Sequence, residues 1–210
     1  MNELNTLFSG LALVLSIISL YLHRRKPKLH IIYEDKFPFK KLLMVKNGSR
    51  PFPPEVFIRV KVLNSQRKIA KNCFGKITEW YTNGKNVNKF DPIKLHWVSN
   101  NIDDYSPIDL SKDEFEYLDI LLTKKDQSKI QVYSNTHPRG TPLIFDDKDD
   151  HIFKLSIYCE NETFVSKWFK VNFQEKDPDE ECTWISMQNL DKAAIKKLKK
   201  DAQSSRRLRP

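Results

Sequence analysis

Between Val56 and Asn64 the chain reads VFIRVKVLN, with Ile58, Val60 and Val62 on one side and Arg59 and Lys61 on the other. A period of two describes a strand with one buried face and does not suit a helix, whose period is about 3.6. The pattern returns in HIFKLSIYC (151–159), where Phe153, Leu155, Ile157 and Cys159 face inward and Lys154, Ser156 and Tyr158 outward. It returns again in WFKVNF (168–173), where Phe169, Val171 and Phe173 oppose Lys170 and Asn172. Shorter runs at 29–34, 42–47, 74–81, 94–98, 129–133 and 142–145 are further strand candidates. Turn chemistry separates them: NGSRPFPP (47–54), TNGK (82–85) and HPRGTP (137–142). Many strands without alternating long helices predict an antiparallel β-sandwich, not a βαβ fold.

One stretch reads two ways. SKDEFEYLDILL (111–122) opens with Ser111 and Glu114 at capping-box spacing, which suits a helix. The same residues make a strand with Leu118, Ile120 and Leu122 toward the core. The all-β surroundings favour the strand, because sheet context overrides local propensity.

The ends differ from the middle. Leu4 to Leu22 is a run of 19 residues without a charge, mostly Leu, Ile, Val, Phe and Ala. As a helix it spans roughly 28 Å, against about 30 Å for a bilayer's hydrocarbon core. It closes on Tyr21 and the basic segment 23–28, with Arg24, Arg25, Lys26 and Lys28, where an export signal would end in a small-residue cleavage site. The expectation is one membrane helix over 4–22, with the basic flank and the rest of the chain cytoplasmic. At the other end, 176–188 reads as an acidic linker and 189–210 as a short basic helix and frayed tail, with Leu190, Ala194 and Leu198 on one stripe. The sandwich is expected to occupy 29–175.

Charge follows the same division. The net charge is +9; residues 1–22 carry −1, 23–28 carry +4 and 191–210 carry +6, so 29–190 sum to zero. A neutral domain lacks the dedicated positive face that nucleic-acid binding requires, so that partner is not expected. The cysteines, Cys73, Cys159 and Cys182, are odd in number and widely spaced, which suits buried thiols in a reducing compartment better than a disulfide framework. The sequons Asn47-Gly48-Ser49 and Asn161-Glu162-Thr163 are as frequent as chance allows and do not argue for export.

FIRVKVLNSQRKIAKNCFGKI (57–77) has an alternating strand ending in Asn64, a polar turn, Ala70, and a second strand near Cys73. It resembles the signature of immunoglobulin-like prokaryotic domains of the CARDB type, although Ser65-Gln66-Arg67 stands where a glycine is usual. The whole chain resembles prokaryotic single-span membrane proteins that carry such a domain. The resemblance implies an immunoglobulin-like sandwich, core positions for Val60, Val62 and Ala70, a turn shaped by Asn64, and roles in binding and adhesion.

Candidate chemistry is sparse. DDKDDH (146–151) gathers Asp146, Asp147, Asp149 and Asp150 before His151, a set that could hold a hard cation, or could simply be a solvated loop. No nucleophile elbow, P-loop or zinc motif occurs, and Cys159 with His96 is the one Cys–His pairing to weigh. Trp80, Trp97, Trp168 and Trp184 read as core or sheet-face packing, or as a partner site if two surface beside Tyr81 or Tyr158. Lys196, Lys197, Lys199, Lys200, Arg206 and Arg207, with Arg24, Arg25, Lys26 and Lys28, are the expected contacts with an anionic membrane surface. The reading is a membrane-anchored, non-catalytic protein-interaction module with no cofactor and no metal. The alternatives are a membrane-tethered metal-dependent hydrolase using 146–151, and an outward-facing adhesion-like domain.

Overall fold

The computed structural model describes residues 10–20, 26–43, 46–47, 50–51, 55–86, 92–101, 103–124, 129–134, 144–146, 148–160, 164–173 and 185–207. Residues 10–20 form helix α1. In chain order the strands are β1 (Leu29–Ile32), β2 (Lys40–Leu43), β3 (Lys46–Asn47), β4 (Arg50–Pro51), β5 (Glu55–Asn64), β6 (Ala70–Thr82), β7 (Lys85–Asn86) and β8 (Ile93–Lys94). They continue with β9 (His96–Trp97), β10 (Ile108–Leu110), β11 (Phe115–Lys124), β12 (Lys129–Val132), β13 (Ile144–Asp146), β14 (His151–Tyr158), β15 (Phe164–Phe173) and β16 (Ile185–Asn189). Helix α2 (Lys192–Arg207) closes the chain as described.

Apart from β3 and β4, which pair only with each other, the strands make a sandwich of two antiparallel sheets, an arrangement consistent with an immunoglobulin-like fold. The first sheet runs β1-β5-β11-β12-β13, with β2 also on β5 and β9 also on β11. The second runs β10-β6-β14-β15-β16, with β7 and β8 also on β6. Between them lie Val56, Ile58, Val60 and Val62 of β5, Phe153, Leu155 and Ile157 of β14, and Phe169 and Val171 of β15. All but Val56 are inward residues that the alternation predicts, while Phe173, also expected inward, is only partly buried. Trp80 and Trp97 are fully buried in the same core. Asn64 does shape its turn: its amide donates to Lys68 O and Leu110 O, and its Oδ1 accepts from Gln66 N–H.

Residues 115–124 are strand. The Ser111 N–H donates to Glu114 Oε2 at 2.6 Å, as a helix cap would, yet Asp113 at φ 60° turns the chain into β11. Pairing along nearly all of β5 outweighs that local preference. Leu118 and Ile120 lie in the core as expected, but a register shift between Asp119 and Leu121 puts Leu121 there in place of Leu122, which is buried opposite Phe57 instead.

Two boundaries differ from expectation. β16 overlaps the end of the stretch read as linker, because Ile185 and Met187 complete the core edge beside β15. The expected 19-residue membrane helix is not met by the described residues: α1 has 11, with 4–9 and 21–22 outside them. Among the described residues no helix is long and apolar enough to cross a membrane.

Candidate interaction surface

The outer face of the second sheet carries the most distinctive surface chemistry. Cross-strand register places Phe74 opposite Tyr158, and Tyr158 opposite Phe164. The rings stack across three strands, Phe74 on Tyr158 at 5.4 Å and Tyr158 on Phe164 at 5.7 Å between centroids. Phe164, at the edge of the row, is 57% exposed. Lys76 on β6 and Lys94 on β8 sit directly opposite each other, and both ammonium groups lean over the Phe74 ring, at 5.1 and 5.9 Å.

Two features of this row cost stability. An aromatic side chain left in water forgoes roughly 1.5–3 kcal/mol of burial. Like charges directly across a strand pair destabilise by a few tenths of a kcal/mol or more, roughly the range of such pairs. The backbone beneath is set by a close approach of the sheets. A Cβ on Gly75 would overlap Leu118 Cδ2 of the facing sheet and press on Ile157 Cδ1 at 3.3 Å.

Beyond Thr78 the face changes. The register shift opposite Lys154 and Leu155 turns Tyr81 outward, beside Ile152 and Trp168. Here α2 covers the sheet. Its apolar stripe is Ile195, Leu198 and Ala202, with Leu190 ahead of it, against Tyr81, Trp168 and Ile152. The expected stripe included Ala194, which is not part of it; its N–H donates to the capping Asp191 Oδ1 at 2.7 Å. Lys199 leans over Trp168 at 5.2 Å and lies 3.9 Å from Glu79, which also holds Lys154 at 3.2 Å. So Trp168 and Tyr81 do come together at a surface, and the chain's own helix occupies it.

The basic residues are divided. Lys196, Lys197 and Lys200 are exposed on α2, and Arg206 and Arg207 lie in its last turn. The helix starts where Leu190 N–H meets Trp168 O and reaches β7, the end of the sandwich opposite β1's first residue. Lys26 and Lys28 are exposed at that other end, where Lys28 O accepts from Ser65 N–H. The structure therefore does not gather them into one patch; Arg24 and Arg25 lie outside the described residues.

The acidic loop resolves into separate contacts. His151 is fully buried; Nε2 donates to Asp146 O at 2.6 Å, and Nδ1 faces Thr82 Oγ1 and the Trp80 N–H. Asp149 accepts from Asn83, Asp150 pairs with Lys170 at 2.8 Å, and Asp146 accepts from Lys148 N–H. Among the described residues no three His, Cys, Asp or Glu side chains form a metal-holding group; Asp147 lies outside them. Cys159 and His96 do not meet. Cys159 touches Cys73 in the second sheet, and His96 contacts Asp119 in the first.

A buried polar cluster on the outer side of the first sheet was not foreseen. Arg59 Nε donates to Asp119 Oδ1 at 2.5 Å, and His96 Nδ1 lies 3.3 Å from Oδ2. His96 Nε2 donates to Asn101 O at 2.8 Å, which fastens Asn101 to the cluster. The edges of Tyr105 and Tyr133 flank the imidazole. Burial pushes the Tyr105 hydroxyl up to about 12, with smaller contributions from Tyr133, Asp103 and Asp119. The visible sequence signal was charge at mid-strand, Arg59 and Asp119, in the two most apolar strands of the sheet. Both His96 nitrogens face acceptors, so the cluster reads as a structural fastening.

Compared with known proteins, the chain matches no family model, no curated protein and no solved structure.

Proposed function

We propose that this protein is a membrane-anchored, non-catalytic interaction module whose immunoglobulin-like domain, of the CARDB type, docks a protein partner on the cytoplasmic side of a cell membrane. The observation that carries the reading is the Phe74–Tyr158–Phe164 row with the opposed Lys76 and Lys94. A stacked aromatic row that ends in the exposed Phe164 matches the aromatic enrichment of protein interfaces, and the positive sign of Lys76 and Lys94 suits an acidic partner. The anchor is supported by α1. Its large apolar residues, Leu11, Leu13, Val14, Leu15, Ile17, Ile18 and Leu20, are exposed all round, and Ser16 returns its hydroxyl to Ala12 O at 2.9 Å. A helix apolar on every side is a buried or membrane helix. The exposed lysines of α2 offer a second contact, to anionic lipid.

Affinity capture by the full chain from solubilised membranes tests the reading. The expected result is a defined partner lost by Phe164→Asp and by Lys76→Glu, and kept by Ile144→Asp on the first sheet. An unchanged captured set in all three would refute the surface. Extraction of the chain from membranes at alkaline pH would refute the anchor separately. Digestion of a C-terminal tag in intact cells would reverse the orientation.

A further inference from the structure

Two buried thiols lie at the inner end of the aromatic row. Cys73 precedes Phe74, and Cys159 follows Tyr158. The register that opposes Phe74 to Tyr158, carried one residue further, opposes Cys73 to Cys159. Their sulfurs are 2.8 Å apart across a sequence separation of 86. Directly opposed residues in an antiparallel pair have Cα atoms about 4.5–5.5 Å apart, inside the roughly 4.4–6.8 Å that a disulfide requires. Both cysteines are free thiols in this structure, and Cys73 is the more deeply buried. Cys159 opens the β14–β15 turn and retains slight exposure, so an attacking partner reaches it first.

We infer that Cys73 and Cys159 form a redox pair that closes into a disulfide by exchange with a small-molecule or protein disulfide. The Cys159 thiolate attacks one sulfur of the incoming disulfide and displaces one thiolate. The Cys73 thiolate then attacks Cys159 Sγ in the mixed disulfide and displaces the second. The two thiol protons pass to the two displaced thiolates; the incoming disulfide gains two electrons and the pair loses two. In a reducing compartment the pair rests open. The Cys73 thiol is held up by its hydrogen bond to Cys159, by burial and by nearby Asp109, so in the resting state it stays protonated and slow to react. Closure ties β6 to the turn that leads from Tyr158 to Phe164. The bond needs only the two strands, so it stands or falls independently of the proposed partner.

The test uses the full chain with Cys182→Ser, treated with oxidised glutathione, alkylated after denaturation and mapped by mass. The expected result is a Cys73–Cys159 linked peptide, the loss of both alkylation sites, and a rise in Tm of about 10 °C that dithiothreitol reverses. Adding Cys73→Ser should leave Cys159 as a stable mixed disulfide with glutathione. Full alkylation of both cysteines after oxidation would overturn the inference. So would glutathione retained on both, without a link between them.

Discussion

The outer face of the second sheet has two halves built from the same three strands, β6, β14 and β15. At one end Tyr81, Ile152 and Trp168 lie under α2. At the other, half-buried Phe74 and Tyr158 and exposed Phe164 stack side by side with no helix over them among the described residues, and two cations lean over the first ring. Both halves are aromatic, so hydrophobicity alone does not explain why only one is covered. The difference lies in charge and in reach. The covered half offers Glu79, which meets Lys154 and Lys199; the open half offers the opposed Lys76 and Lys94, which would repel the same basic helix. Leu190 is held at Trp168, and α2 runs from there toward β7, away from the open row. A sheet face that selects its own helix by charge leaves its other half for something of opposite charge.

The largest expected effect is on the covered half. Trp168→Ala should destabilise the fold by about 3 kcal/mol and free α2 to exchange its amide hydrogens, measured by denaturant unfolding with hydrogen exchange. Protection of α2 unchanged from wild type would mean the two halves are equally bare. Gly75→Ala should cost about 2 kcal/mol by forcing Leu118 aside, and should loosen the aromatic row without touching α2. Asp191→Ala should cost about 1 kcal/mol and fray the start of α2 alone. Lys94→Gln should stabilise by a few tenths of a kcal/mol, roughly the size of a relieved like-charge pair. Phe164→Ala should change stability by less than about 0.5 kcal/mol, as at an exposed site, while abolishing partner capture. A Phe164→Ala cost near that of Trp168→Ala would show that the open row is packed in solution, and the comparison would fail.

Much of the fold could be read from residues a few positions apart. Ile58, Val60 and Val62, or Phe153, Leu155 and Ile157, announce their buried face because strand alternation is local. The harder positions needed partners from elsewhere. Leu121 became core through a register shift in β11. Ser156, read as outward, is on the outer side yet almost fully buried, sharing a hydrogen bond with Thr78. The α2 stripe was misplaced by one residue at Ala194, since Ala194 and Ile195 both fit a helical period until Trp168 chooses between them. Of the candidate site, the sequence showed Tyr81, Tyr158 and the tryptophans as possible surface aromatics. It did not show Phe74 and Phe164 as their neighbours, because 90 residues separate those two in the chain.

By itself, then, the sequence determined a mainly β chain, its strongest strands and their buried faces, a basic amphipathic helix at the end, and an uncharged run at the start. Each rests on spacing along the backbone, which short-range geometry converts directly into a face. The tertiary structure alone decided which strands became neighbours. That choice stacked Phe74, Tyr158 and Phe164, set Lys76 against Lys94, laid α2 on Trp168, fastened His96 to Asp119 and Asn101, and brought Cys73 to Cys159. Register between distant strands is a property of the whole core, settled when both sheets bury their apolar faces together, and no local pattern records it.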